Sequence, residues 1–155
     1  MVRRCVAITI FAVILVVGAS WPAFSEGYKD IHWVSYEEAL QTQKEVKKPI
    51  LIFFHLPYCY RCKEMKAWVY SKPEVIDLIN RDFIPVMVDM DKDKQLVKQM
   101  DITYTPTHVF LAPDGKEVLR VRDSIPKDRF VKILEFVAKE EYKKMDLDSY
   151  LKGGS

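Results

Sequence analysis

Cysteine is scarce in this chain, and neither sign of charge is in excess. Three cysteines occur in 155 residues, and one of them, Cys5, falls in an apolar run near the N-terminus. Cys59 and Cys62 are then alone. With no second pair there is no four-cysteine zinc site to build. The loop that Cys59 and Cys62 would close is too short to constrain the unfolded chain, so the pair is not a structural staple. The net charge of +2 comes from Arg3 and Arg4, and without them 22 basic side chains face 22 acidic ones. That balance gives no electrostatic reason to expect nucleic acid or an anionic membrane surface as a partner. Internal repeats and low-complexity linkers are also lacking. The acidic stretch Asp89-Met90-Asp91-Lys92-Asp93 has no glycine at a sharp turn and no glutamate at a distal ligand position. It reads as a solvated loop that starts a helix rather than a calcium site.

What remains fits one globular domain, with 49% hydrophobic and 12% aromatic residues. The first 25 residues stand apart. Met1-Val2-Arg3-Arg4 is a basic start, Cys5 to Gly18 is continuously apolar, and Ala23-Phe24-Ser25 suits cleavage. The apolar run is short of the ~20 residues a spanning helix needs. Residues 1–25 therefore read as a cleaved secretory signal, with an uncleaved membrane anchor as the alternative. The expected destination is the periplasm or the exterior, where a lone Cys-x-x-Cys is most often redox-active. Cys5 reads as one more apolar residue of the signal.

The mature chain is organised around Pro49 to Lys63. Ile50 to Phe54 is an uninterrupted apolar run, the pattern of a strand covered on both faces. A short turn follows, and then Cys59-Tyr60-Arg61-Cys62 opens a helix. Cysteines three apart in a first helical turn can share one face. A thiolate there is stabilised by unpaired backbone N–H groups and the helix dipole. Before this segment, Ser35 and Glu38 form a capping box for a helix over about 35–46. After it, the helix continues through Tyr70 with Met65 and Trp68 or Val69 inward. Ser71 restarts a helix, with Pro73 in its first turn. Phe83 to Val88 is a second apolar strand, and 95–100 a short helix. His108 to Leu111 and Glu117 to Val121 form a hairpin around Pro113-Asp114-Gly115. Pro126 begins an amphipathic helix carrying Phe130, Ile133, Leu134 and Val137. Residues 146–155 read as a frayed polar tail, leaving 26–145 as the domain. A helical crossover makes the first two strands parallel and the hairpin makes the last two antiparallel. The expected fold is α/β: three layers, a mixed central sheet with helices on both faces.

These pieces, in this order, resemble the thioredoxin superfamily. The strand 50–54, Cys59-x-x-Cys62-Lys63, Thr105-Pro106-Thr107 about forty-four residues further on, the hairpin and the last amphipathic helix all match its pattern. Trp33, Ser35–Ala39, Lys48-Pro49 and Ser71–Val75 are similar to its exported members, which include the C-terminal domain of thiol:disulfide interchange proteins. The resemblance implies that Cys59 attacks, that Cys62 resolves, and that Pro106 is a cis-proline facing the disulfide. Thr105 beside it would then dock extended substrate. The pattern also departs from thioredoxins proper. Phe53 stands where they carry a buried aspartate, Met87 where its lysine partner would be, and Tyr58 where a tryptophan precedes the first cysteine. Arg122-Asp123 replaces an expected glycine.

The expected function is an exported thiol:disulfide oxidoreductase acting on protein disulfides. The resemblance favours the reducing direction, which requires a membrane electron donor and no bound cofactor. Arg61 beside Cys59 would stabilise its thiolate and argues for the oxidising or isomerising direction. His55, Tyr58 and Tyr60 complete the decoration of the site, and no metal site is expected. One alternative is a Cu(I) module using His55, Cys59 and Cys62. A binding or chaperone role with incidental cysteines is another.

Overall fold

Strand β1 (Ile50–His55) is buried along its whole length, as an unbroken apolar run requires. The computed structural model describes residues 27–153, so the signal reading of residues 1–25 lies outside the described residues. β1 pairs in parallel with β2 (Ile84–Asp89) and antiparallel with β3 (Thr107–Leu111), which pairs antiparallel with β4 (Glu117–Arg122). The sheet order is β2-β1-β3-β4. The mixed sheet is the one expected. Among the described residues no helix is long and apolar enough to cross a membrane.

Helix α1 (Tyr36–Val46) is capped by Ser35, whose hydroxyl accepts from Glu38 N at 3.1 Å. Its buried residues are Ala39 and Gln43, while Val46 is exposed. The buried amide of Gln43 donates 3.0 Å bonds to the carbonyls of Lys48 and Ala112, so its polarity is satisfied. Helix α2 (Tyr60–Glu64) runs into a π-helical turn over Met65–Val69, closed by Tyr70 N to Met65 O at 2.8 Å. The wider turn leaves Met65, Val69 and Tyr70 buried and Trp68 exposed. Helix α3 (Pro73–Asp82) is capped at Lys72 rather than Ser71. The Ser71 hydroxyl instead donates back to the Ala67 carbonyl, one of the groups a helix end leaves orphaned.

Helix α4 (Lys94–Gln99) is capped by Asp93, which accepts from Leu96 N at 2.9 Å. This is the loop the acidic run predicts. Helix α5 (Lys127–Ala138) buries Phe130, Ile133, Leu134, Phe136 and Val137, each burial stabilising by roughly 1.5–3 kcal/mol. The polar tail expected at 146–155 differs: Leu147–Gly153 forms helix α6. Asp146 caps it by accepting from Ser149 N at 2.9 Å, and Tyr150 packs on Phe136 with ring centroids 5.2 Å apart. Two apolar side chains at helical spacing, Leu147 and Tyr150, suffice to dock it on the core.

The face of the sheet that carries Leu51 and Phe53 forms one core with Cys62, Met65, Tyr70 and Phe130. His108 lies on that face, directly across from Phe53 in the β1–β3 register. Its ring stacks on Phe53 at 5.1 Å and lies 5.3 Å from Phe130. It is fully buried, and neither ring nitrogen makes a hydrogen bond among the described residues; the Tyr70 hydroxyl is also unpartnered. Burial lowers the His108 pKa to about 3.

This imidazole makes the fold acid-labile. Its folded pKa lies below its unfolded one of about 6.5, so the unfolded chain takes up the proton first. Stability is then complete above about pH 6.5 and falls as pH drops toward 3. Between pH 7 and 5 the expected loss from this one residue is about 2 kcal/mol. His108→Leu should remove that component of the pH dependence, read as urea midpoints at the two pH values. An unchanged pH dependence in the variant would mean that the ring is not buried and neutral.

Candidate active site

The end of β1 delivers the chain through Leu56-Pro57-Tyr58 into the first turn of α2. Cys59 N–H donates to the Leu56 carbonyl at 3.2 Å. Cys59 itself is the N-cap, in extended backbone conformation, and its Sγ accepts from Cys62 N at 3.1 Å. The two cysteines form a disulfide with Cα atoms 5.3 Å apart. Their exposures differ: Cys59 is half-buried, whereas Cys62 is 1% exposed. Of the two cysteines only Cys59 reaches the surface.

Two loops lie beside this turn. The Thr105–Pro106 peptide bond is cis, with Pro106 buried and Thr105 partly exposed. The Pro106 carbonyl accepts from Asp123 N at 2.8 Å. Asp123 stands at φ +80°, a left-handed conformation that aspartate tolerates better than most residues. Its carboxylate accepts from Ser124 N at 2.7 Å and pairs with the Arg61 guanidinium. The Ser124 N–H first, and then Arg61, hold the Asp123 carboxyl below its ordinary pKa. Met65 Sδ accepts from Ile125 N at 3.2 Å. The residue between the cysteines, the proline loop and the β4–α5 loop are thus joined through Asp123 and Met65.

Tyr58, Tyr60 and Tyr104 are exposed. Tyr60 is turned to solvent, and Tyr58 lies near the Asp91 carboxylate. His55 is buried, with its ring stacked on Phe53 at 5.6 Å. Its Nδ1 lies 3.5 Å from Lys66 Nζ, which sits 5.2 Å from the centroid of the Tyr28 ring. Burial first, and then Lys66, lowers the His55 pKa, while the Leu56 backbone and Asp89 oppose. Burial also lowers the pKa of Lys66, against the carboxylate of Asp89. Phe53 and Met87 face each other in the β1–β2 register, so no carboxylate or ammonium comes from those two positions.

Among the described residues no three His, Cys, Asp or Glu side chains are gathered closely enough to hold a metal. With Cys59 and Cys62 joined in a disulfide, they form no Cu(I) ligand set with His55 in this structure. Sequence reasoning missed Lys66 and the pairing of Asp123. Lys66 follows Cys62 by four residues, a spacing that puts both on one helical face. Asp123 was visible only as a residue standing where a glycine was expected.

Comparison with known proteins agrees with this geometry. The thioredoxin-like domain family matches residues 36–138. The chain is 28% identical over 104 residues to the disulfide bond reductase DsbH of Chlamydia pneumoniae, covering 59% of this chain and 63% of that protein. It is 26% identical over 113 residues to the thiol:disulfide interchange protein DsbD of Photorhabdus laumondii, covering 70% of this chain and 19% of that one. A solved thioredoxin from Thermus thermophilus shares 31% identity at a TM-score of 0.64, covering 70% of this chain and 87% of its own. The chain thus has thiol:disulfide oxidoreductase homologues, although it spans less than two thirds of either Dsb protein. With the matched strand order, the Cys59–Cys62 disulfide and a family match over most of its length, the chain belongs to the thioredoxin-like domain family.

Proposed function

We propose that this protein is an exported thiol:disulfide oxidoreductase that reduces protein disulfides, with Cys59 as the attacking and Cys62 as the resolving cysteine. The observation that carries the reading is the asymmetry of the pair. Cys59 is partly exposed and its Sγ receives the Cys62 N–H at 3.1 Å, while Cys62 is closed to solvent. In the reduced protein the same N–H would stabilise a Cys59 thiolate. That thiolate attacks one sulfur of a substrate disulfide and expels the other as a thiolate. Cys62, deprotonated in turn, attacks Cys59 Sγ and releases the second substrate sulfur. Two substrate sulfurs are reduced and the Cys59–Cys62 disulfide forms. A membrane electron donor would then reduce this disulfide and complete the cycle. The name of one relative, a disulfide bond reductase, supports the reducing direction. Export rests on the signal pattern of residues 1–25.

Thr105 and Pro106 are the proposed docking edge, and the tie from Pro106 through Asp123 to Arg61 supports it. Tyr58 and Tyr60 flank the approach. Arg61 is a proposed tuning residue, with much of its charge directed to Asp123.

The assignment of roles is tested by trapping. Cys62→Ser should accumulate mixed disulfides with an insulin substrate, and Cys59→Ser should not. Equal trapping by both would overturn the assignment, and a wild-type protein that fails to reduce insulin in the presence of dithiothreitol would overturn the function.

The role of Arg61 is read from Asp123→Asn. Asparagine keeps an oxygen for Ser124 N–H and tolerates positive φ, but it removes the charge that offsets Arg61. The Cys59 thiolate should then form at lower pH, seen in its ultraviolet absorbance, and the disulfide should become more oxidising. A titration unchanged from wild type would exclude Arg61 as a tuning residue.

A further inference from the structure

Cys62 must lose a proton before it can resolve a mixed disulfide. It lies 1% exposed among apolar side chains that include Phe53 and Met65. Burial in such surroundings disfavours a thiolate. Lys66 follows Cys62 by four residues along the stretch formed by α2 and the π-helical turn. It is half-buried, and its ammonium meets the Nδ1 of His55, whose ring stacks on Phe53 from the core of the same cluster.

Groups around Lys66 offset part of what burial costs its charged amine. From the N-terminal segment the Tyr28 ring presents its face at 5.2 Å, an arrangement that favours a cation. From β1, His55 Nδ1 lies at 3.5 Å and accepts from the ammonium when the ring proton sits on Nε2. From the end of β2, Asp89 opposes the lowering of the Lys66 pKa that burial causes. Lys92, in the loop beyond β2, acts on His55 and is itself paired with Asp89 at 3.7 Å.

We propose that Lys66, held in place by His55 and Tyr28, is a positioning residue that makes the buried Cys62 thiol acidic enough to resolve the mixed disulfide. The proposal rests on the exchange reading above. The proton leaves Cys62 for solvent, the thiolate attacks Cys59 Sγ, and the partner's sulfur departs as a thiolate. Lys66 exchanges no atom in this step. Its positive charge lowers the energy of the thiolate four residues before it on the same helical face.

The aromatic disulfide dithiobis(nitrobenzoate) separates the two cysteines in one experiment. Reduced protein releases a first nitrothiophenolate when Cys59 attacks and a second when Cys62 resolves. In Lys66→Met the first phase should keep its rate and amplitude, which also reports an intact fold. For each unit by which the Cys62 titration moves up, thiolate below it falls about tenfold, while each thiolate becomes roughly threefold more nucleophilic. The second phase should then be roughly threefold slower near neutral pH and roughly threefold faster well above the titration. The two pH profiles therefore cross. Lys66→Arg should restore the wild-type profile. A second phase that is unchanged, or slowed by one factor at every pH, would overturn the role of Lys66. Absence of the first phase in the wild type would instead overturn the exchange reading itself.

Discussion

A single backbone hydrogen bond, from Cys62 N to Cys59 Sγ at 3.1 Å, joins the folding problem to the chemical one. The first turn of any helix leaves N–H groups without partners, and an acceptor at the N-cap relieves one of them. Here the acceptor is a sulfur at the head of α2. While that sulfur is in a disulfide, the bond serves mainly to end the helix neatly. When the sulfur carries charge, the same bond and the dipole behind it become stronger. The position of Cys59 follows from β1, because a fully buried strand leaves the chain no freedom in where it emerges.

Around that bond the protein sorts polarity by depth. The floor beneath the disulfide is apolar: Phe53 is fully buried, and its β2 neighbour is Met87. His108, beside Phe53, is tolerated there only as a neutral ring. Charge is placed at the margins instead. Lys66 and His55 stand on one side, and Arg61 with Asp123 on the other. A dry floor with charged margins lets a passing thiolate feel nearby cations strongly, because little water lies between them.

Much of this was legible in the sequence because it depends on local pattern. The apolar run at 50–54, the spacing of Cys59 and Cys62, the Pro113–Gly115 turn and the stripe on α5 each announce themselves within a dozen residues. The Arg122-Asp123 departure from a family glycine marked the right place, but not the contact made there. Asp123 meets Arg61 across 62 positions of sequence, and no local pattern encodes such a meeting. Lys66 was missed for a different reason: a lysine on a helix is ordinarily solvated, and only tertiary packing buries this one. Gln43 and α6 were missed similarly. Gln43 is polar yet buried because two distant carbonyls converge on it, and α6 is polar overall yet docked by Leu147 and Tyr150.

The π-helical turn over Met65–Val69 has a consequence for how this segment can change length. A π turn holds one residue more than an α turn would need between the same two endpoints. That extra residue lets Tyr70 end inside the core while Trp68 looks outward. Because the endpoints are those of an ordinary helix, removing one residue within the turn would close it to α geometry and leave the residues beyond it, Tyr70 included, in register. The turn is thus the place where this segment can lose a position without turning its downstream face, whereas the same loss in α2 or α3 would rotate every following side chain by about 100°.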